Sequence, residues 1–205
     1  CVLVAQALLL AGVDIPARVA TALAYGILTD TLELYRARRP DVARTYLQIL
    51  QHADMRALAR IQNPVLPRKF FSVLGQGIRN AVQYRRLVVS HLGAVDTPDR
   101  VSQVAEFLLT YRGAQWCFAT GRFKGRAHAS LRTVRQDAQA GEVLRDIFDR
   151  RNEAGGHGAI AGGSCRVGLK ATEEQWAERE QVLTDRLKGR LRIPARVEPR
   201  KPFTN

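Results

Sequence analysis

Several things are scarce in this chain of 205 residues, and each scarcity excludes a class of protein. Cysteine occurs only at Cys1, Cys117 and Cys165, an odd number without CxxC spacing, so neither a disulfide framework nor a cysteine-based zinc site is implied. Cys117, within Trp116-Cys117-Phe118-Ala119, reads as a small buried hydrophobe, and this usage suits a reducing, cytoplasmic location. No apolar run reaches the ~18 residues needed to cross a bilayer. The segment Cys1–Ala11 is apolar but has no basic stretch before it, and Gln6 and Asp14 interrupt it, which argues against a secretory leader. Acidic residues are few, 19 against 32 Lys and Arg, which leaves a formal net charge of +13. Such an excess suits a polyanionic partner, because neutralised phosphates release counterions. The arginines are nevertheless scattered, with no compact basic run, and a generally arginine-rich composition accounts for the excess equally well.

With 46% hydrophobic residues there is enough apolar material for an ordinary core. Residues 2–12 and 17–28 read as largely buried helices, separated by Gly12 and Pro16. The second runs into Thr29-Asp30-Thr31, where Asp30 is the only carboxylate between Asp14 and Glu33. A carboxylate closing an apolar segment needs a cap, a turn or a metal, and spacing alone leaves these open. Helices are expected at 40–50, at 54–62 with Asp54 as N-cap, and at 67–81.

From Tyr84 the period changes. Residues 86–92, 114–120 and 127–133 are β-rich, the last two joined by a basic hairpin, Gly121–Gly125. Residues 98–111 and 139–151 are amphipathic helices, a further strand is expected around 164–169, and Thr172 opens a capping box for a final helix to about Leu191. The proline-containing tail is expected to be poorly ordered.

The stretch Glu153–Gly163 places two glycine pairs around one imidazole, His157. Bare glycine N–H groups can cradle an anion, and the same glycines can equally serve a tight turn between helix and strand. Ser130-Leu131-Arg132-Thr133, a helix, then Ala154-Gly155-Gly156-His157 and Ala161-Gly162-Gly163 resembles the DHH-associated domain of DHH-family phosphoesterases. Gly26-Ile27-Leu28-Thr29-Asp30-Thr31 is similar to the last metal-binding motif of that family's catalytic domain, in the right order.

The resemblance implies an α/β chain containing the C-terminal part of an α/β DHH catalytic lobe (1–39), a helical connection (40–82), a small mixed α/β substrate-binding lobe (83–170), and a C-terminal helix and tail (171–205). It implies a manganese-dependent hydrolase of short oligonucleotides or nucleotide phosphates, of the nano-RNase or pAp phosphatase type. A RecJ-like single-strand 5′-exonuclease and a non-catalytic nucleic-acid-binding or nucleotide-binding module are the alternatives. Asp30 is then a ligand of one of two Mn2+ ions and catalytic. Arg132, Gly155, Gly156 and His157 hold substrate phosphate, with positive charge, including Arg122, gathered around them. The expected partners are short RNA or DNA oligonucleotides or nucleotides, without a membrane, and homodimerisation is left open. The sequence departs from the family in having neither a DxD motif nor an Asp-His-His triplet, and in Ala154 where a glycine is usual. This stretch is therefore expected to be a piece of a longer enzyme and to be inactive by itself.

Overall fold

The computed structural model describes residues 1–203 except Leu32, Arg36, Arg38 and Gln136. The fold is mixed α/β and divides into two compact units, Cys1–Leu66 and Pro67–Asn205.

The first unit is helical: α1 (Val2–Leu10), α2 (Ala17–Thr31), α3 (Pro40–Leu50) and α4 (Met55–Gln62). Ala5, Ala20, Ala24, Ile27, Ile49 and Leu58 are its buried contacts. Asp54 caps α4 as expected, accepting hydrogen bonds from the backbone N–H groups of Arg56 and Ala57 at 2.9 and 3.0 Å. Gly26 is a packing glycine, since a Cβ there would lie 2.2 Å from Cys1 Sγ.

The second unit is a six-stranded sheet in the order β1-β2-β3-β4-β6-β5. Its elements are α5 (Arg68–Asn80), β1 (Val82–Tyr84), β2 (Leu87–Ala94), α6 (Asp99–Leu109), β3 (Trp116–Phe123), β4 (Arg126–Thr133), α7 (Ala140–Ile147), β5 (Ala154–His157), β6 (Ile160–Arg166) and α8 (Glu173–Arg190). Among the described residues only β2 and β3 run parallel, joined through α6, as a crossover connection allows. The β3–β4 hairpin turns at Lys124 and Gly125, both with positive φ, the geometry of a two-residue primed turn.

Alternation along the strands gives the sheet two buried faces. Leu87, Val89, Trp116, Phe118 and Leu131 pack with Leu144 and Ile147 of α7 and Leu183 and Leu187 of α8. Val88, Leu92, Cys117 and Ala119 pack with Val101, Val104 and Leu108 of α6 and with partly buried residues of α5. At Gly77 α5 comes close to the sheet: Ser90 Oγ donates to its carbonyl at 2.8 Å, and a Cβ there would lie 2.7 Å from Val104.

Three sequence expectations differ from this architecture. The unit boundary falls at Leu66, not near 80–83, because α5 packs on β2. The sequence sets the final helix outside the substrate lobe, yet Trp176, Leu183 and Leu187 make it one wall of the core. The tail is tied down: Gln83 and Arg200 exchange backbone hydrogen bonds of 2.8 and 3.0 Å, and Phe203 meets Tyr111 edge-on at 5.2 Å.

A polar network holds α8 to the sheet. Arg122 of β3 pairs with Glu180 at 3.0 Å, and these side chains are 16% and 5% exposed. Arg122 also pairs with Glu173 and lies over the Trp176 ring. Thr120 Oγ1 donates to Glu180 at 3.3 Å, and His91 bridges Thr120 and Thr184 at 2.7 and 3.3 Å. Removing one member of a buried ion pair leaves the other uncompensated. Glu180→Ala is therefore expected to cost about 3 kcal/mol, the low end of that range because Glu173 remains. Urea unfolding reads this directly, and Arg122→Met in the Glu180→Leu background should recover most of it.

Burial pushes the His91 imidazole below its ordinary 6.5; the nearby Glu180 charge opposes this and Arg122 adds to it. Above 6.5 both folded and unfolded chains carry neutral His91. As pH falls through 6.5 the unfolded chain takes up the proton first, so stability is lost on acidification from there down through the lower folded value. His91→Gln should flatten that part of the stability profile, as followed by thermal unfolding between neutral and mildly acidic pH.

Candidate functional site

Along β4 the odd residues Ala127, Ala129 and Leu131 enter the core under α7 and α8. The even residues His128, Ser130 and Arg132 therefore project from the α6 face. With the first turn of α6 and the run Ile160–Gly163 of β6 they line a groove of about 260 Å³. Three polar atoms in this row are buried without a hydrogen-bond partner among the described residues: His128 Nε2, Ser130 Oγ and Arg132 Nε. Native proteins rarely leave such atoms unpaired, since each costs about 1–3 kcal/mol. Three at alternate positions on one strand face make this row the candidate site.

The guanidinium of Arg132 is held in place, Nη1 donating to the carbonyls of Leu131 at 3.2 Å and Ala161 at 3.1 Å. Burial lowers its pKa from 12.5, opposed by the charge of Glu106, but an arginine stays cationic at neutral pH. No carboxylate lies within ion-pair distance of it among the described residues. His128 is held below its ordinary value of 6.5, first by burial and then by the neighbouring Arg126 charge. Its Nε2 has no hydrogen-bond partner among the described residues, and an incoming anion would favour the protonated ring, which takes its proton from solvent.

Register places the glycines beside this row. Arg132 pairs with Ile160, which pairs with His157; Ser130 pairs with Gly162, which pairs with Gly155. Opposite residues of antiparallel strands share a face, so Gly155 and Gly162 form a bare floor beside Ser130, with His157 on the same face. An added Cβ at Gly155 meets nothing within 4 Å, and one at Gly162 only the Ala129 carbonyl at 3.9 Å. Gly156 and Gly163 face the other way. A Cβ at Gly156 would lie 2.2 Å from the Ile160 carbonyl, and one at Gly163 2.8 Å from the Phe148 ring.

The structure therefore brings Arg132, Gly155 and exposed His157 onto one face and gives Gly156 to the opposite, packed one. The expected glycine loop is a hairpin of β5 and β6, so its glycines lie in the sheet and not in a loop. Arg122 does not join it: it sits on the α8 side of the sheet, tied to Glu173 and Glu180, because β3 alternation separates it from Cys117, the cross-strand partner of Arg132. One cleft holding Arg122, Arg132 and His157 together is ruled out. His128 and Ser130, which also line the groove, are not among the residues the sequence singles out, although the period-two reading His128-x-Ser130-x-Arg132 places all three on one face.

Asp30 lies in the other unit, in the last turn of α2, with a side chain 67% exposed and 3.8 Å from the Cys1 amino group. No group of three His, Cys, Asp or Glu that could hold a metal occurs among the described residues. A manganese pair needs several oxygen or nitrogen ligands, and Asp30 alone does not meet that requirement. No helix among the described residues is long and apolar enough to cross a membrane.

No family model matches the sequence. The chain is similar to a crystallised exopolyphosphatase-related protein from Bacteroides fragilis, with a TM-score of 0.65 and 16% identity over 87% of this chain. The chain shares that protein's fold. It covers 53% of that protein's length. An uncharacterised protein of Methanocaldococcus jannaschii is 30% identical over 167 residues, which is 80% of this chain and 34% of the relative. The chain thus spans about a third of this curated relative. A pGpG-specific phosphodiesterase from Vibrio aligns over 74% of this chain and 52% of its own with 13% identity, but its TM-score of 0.39 is too low to bear on the fold.

The two kinds of glycine make opposite predictions. Gly162→Val points its side chain into open groove and should change stability by no more than about 0.5 kcal/mol. Gly163→Val overpacks against Phe148 and should cost roughly 1–3 kcal/mol. Thermal unfolding separates them. Inorganic phosphate should shift the Arg132 side-chain NMR resonance in the parent chain and fail to do so in Gly162→Val.

Proposed function

We propose that this chain supplies the substrate-holding face of a phosphoester hydrolase acting on short oligonucleotides or nucleotide phosphates. The observation behind this reading is the row of unpartnered atoms on His128, Ser130 and Arg132 above bare glycine backbone. A phosphate fits those requirements. Arginine offers a planar fork of donors, serine a hydroxyl donor, and histidine a ring nitrogen that becomes a donor when protonated. The glycines let an anion approach the backbone. Hydrolysis is favoured over simple binding by the shared fold with a protein named for exopolyphosphatase relatedness and by the resemblance in motif order.

In this reading Arg132 clamps a non-bridging phosphate oxygen, Ser130 donates to a second, and His128 donates from Nε2 once protonated. His157, on the same face beside Ile160, lies where the adjacent part of the substrate would run. Holding phosphorus in one orientation is itself catalytic, since it converts a collision into an aligned attack. Manganese and its remaining ligands belong to the proposal only as the family expectation, for this chain offers Asp30 and no further ligand cluster among its described residues. That shortage favours a second reading, a nucleotide-binding module without turnover.

Calorimetric titration with a 5′-phosphorylated dinucleotide tests the grip. Arg132→Ala should weaken binding about ten- to a hundredfold, as loss of a charge-assisted contact of roughly 1.5–3 kcal/mol implies. A phosphodiester without a terminal phosphate does not titrate near neutrality, so its pH dependence reports the protein. Its affinity should rise as pH drops below 6.5 and His128 becomes protonated, and His128→Gln should abolish that rise. Unchanged binding in both variants would remove the groove from function. Turnover of the bound dinucleotide with manganese added separates the hydrolase from the binding module.

A further inference from the structure

The α7–α8 side of the sheet carries a second recess, of about 640 Å³, where β2 and β3 begin and β4 ends. Five arginines line it: Arg85 and Arg86 from the β1–β2 turn, Arg135 after β4, and Arg190 and Arg192 from the end of α8. Arg135 pairs with Asp137 at 2.7 Å and Arg190 with Asp146 at 2.8 Å. Arg85, Arg86 and Arg192 have no carboxylate within ion-pair distance among the described residues. Leu87, Val143 and Ile193 give the recess an apolar floor.

Two of these arginines stand where glycine is the unstrained choice. Arg85 has φ 55° in the two-residue link between Tyr84 and Leu87, which pair directly. Arg192 has φ 55° just past α8, where the Ile193 N–H bonds the Lys188 carbonyl at 2.8 Å and the Arg192 N–H the Gly189 carbonyl at 3.0 Å. That bonding pattern is the Schellman ending, whose left-handed position is usually glycine. A favourable helix dipole accounts for a cation such as Arg190 in the last turn of α8, but not for the left-handed backbone at Arg192. Lys124 shows the same backbone in the β3–β4 turn, so what sets this recess apart is that two such positions carry unpaired arginines that line one cavity.

We infer that this recess is a second nucleotide site, separate from the Arg132 groove. Phosphate oxygens lie against Arg85, Arg86 and Arg192, and a base rests on the apolar floor. The volume falls within the range of about 300–1,000 Å³ typical of small-ligand sites. The nucleotide is either free or one unit of a single strand, and phosphate with an attached base is the shared chemistry. The inference does not depend on hydrolysis or on the Arg132 groove.

Fluorescence anisotropy of a short labelled single strand against salt tests it with two variants of equal charge change. Arg85→Gly/Arg86→Gln/Arg192→Gly removes the three rim arginines without an ion-pair partner, and Arg18→Gln/Arg56→Gln/Arg60→Gln removes three arginines of the helical unit. The rim variant should bind about tenfold more weakly at low salt, with its salt slope reduced by about 2, the value for three lost single-strand phosphate contacts. Its melting temperature should be equal to or above that of the parent chain, because glycine relieves both left-handed positions. The helical-unit variant should keep most of its affinity. Since the rim variant retains Arg132, His128 and Ser130, its loss cannot arise from the other groove. AMP displacing the strand from the parent chain assigns the recess to free nucleotide, and displacement only by unlabelled strand assigns it to a polymer. Equal losses in the two variants, no loss in the rim variant, or displacement by inorganic phosphate as effective as by AMP would overturn the inference.

Discussion

The pairing of β4 with β6 is the constraint on which the site depends. Arg132 opposite Ile160 and Ser130 opposite Gly162 put a polar row next to bare backbone on one face, while Leu131 opposite Ala161 closes the other. Strand side chains alternate with period two, so a slip of one residue would bury Arg132 under α7 and push Leu131 into the groove. The faces hold the register in turn. Gly163 is squeezed by Phe148, and Gly141 at the start of α7 would carry its Cβ 2.2 Å from the Gly156 carbonyl. Glycine on the packed face lets helix and hairpin approach, and glycine on the open face leaves room for a ligand.

That arrangement works only if the packed face stays covered, and α8 provides the cover. Its buried Glu180 holds Arg122, with Thr120, Thr184 and His91 satisfying the remaining polar atoms around the pair. The contrast with Arg132 is instructive because both residues are arginines on neighbouring antiparallel strands. Arg122 has two carboxylates and a Trp ring beneath it and is structurally satisfied. Arg132 has two backbone carbonyls and an orphaned Nε. Charge alone does not distinguish a structurally satisfied arginine from one with donors to spare; the pairing of each donor does.

Much of this was legible where the signal is local. The capping box at Thr172 starts α8, Asp54 caps α4, and the apolar period of residues 98–111 locates α6. The Lys124-Gly125 turn and the even and odd residues of 127–133 follow from turn chemistry and alternation. Arg132 was legible as a candidate through its motif, and the structure places it in the groove. The glycine-rich segment was not legible as strand, because glycine has weak strand propensity and no side chain to show alternation. Its extended form comes from pairing with β4, a contact between segments some thirty residues apart. The assignment of α5 and α8 to the sheet unit is equally non-local, resting on Gly77 against Ser90 and on Glu180 against Arg122. The misplacement of Arg122 has the same origin. Its basic surroundings in sequence say nothing of the carboxylates that α8 brings from fifty residues away.

Both recesses of the sheet unit share a thermodynamic feature. In the Arg132 groove, three buried polar atoms forgo hydrogen bonds that a partner or a water-exposed position would supply. In the arginine-rimmed recess, two residues hold a left-handed backbone that costs each of them about 1–2 kcal/mol relative to the ordinary conformation. Neither feature helps the chain fold, and glycine or an apolar residue would be the more stable choice at several of these positions. A folded domain is stable by only about 5–15 kcal/mol, so costs of this size survive where binding depends on them. The two recesses lie on opposite faces of one sheet and draw on different elements. A ligand proposed for one would therefore neither block nor complete the other, and each set of costs needs its own explanation.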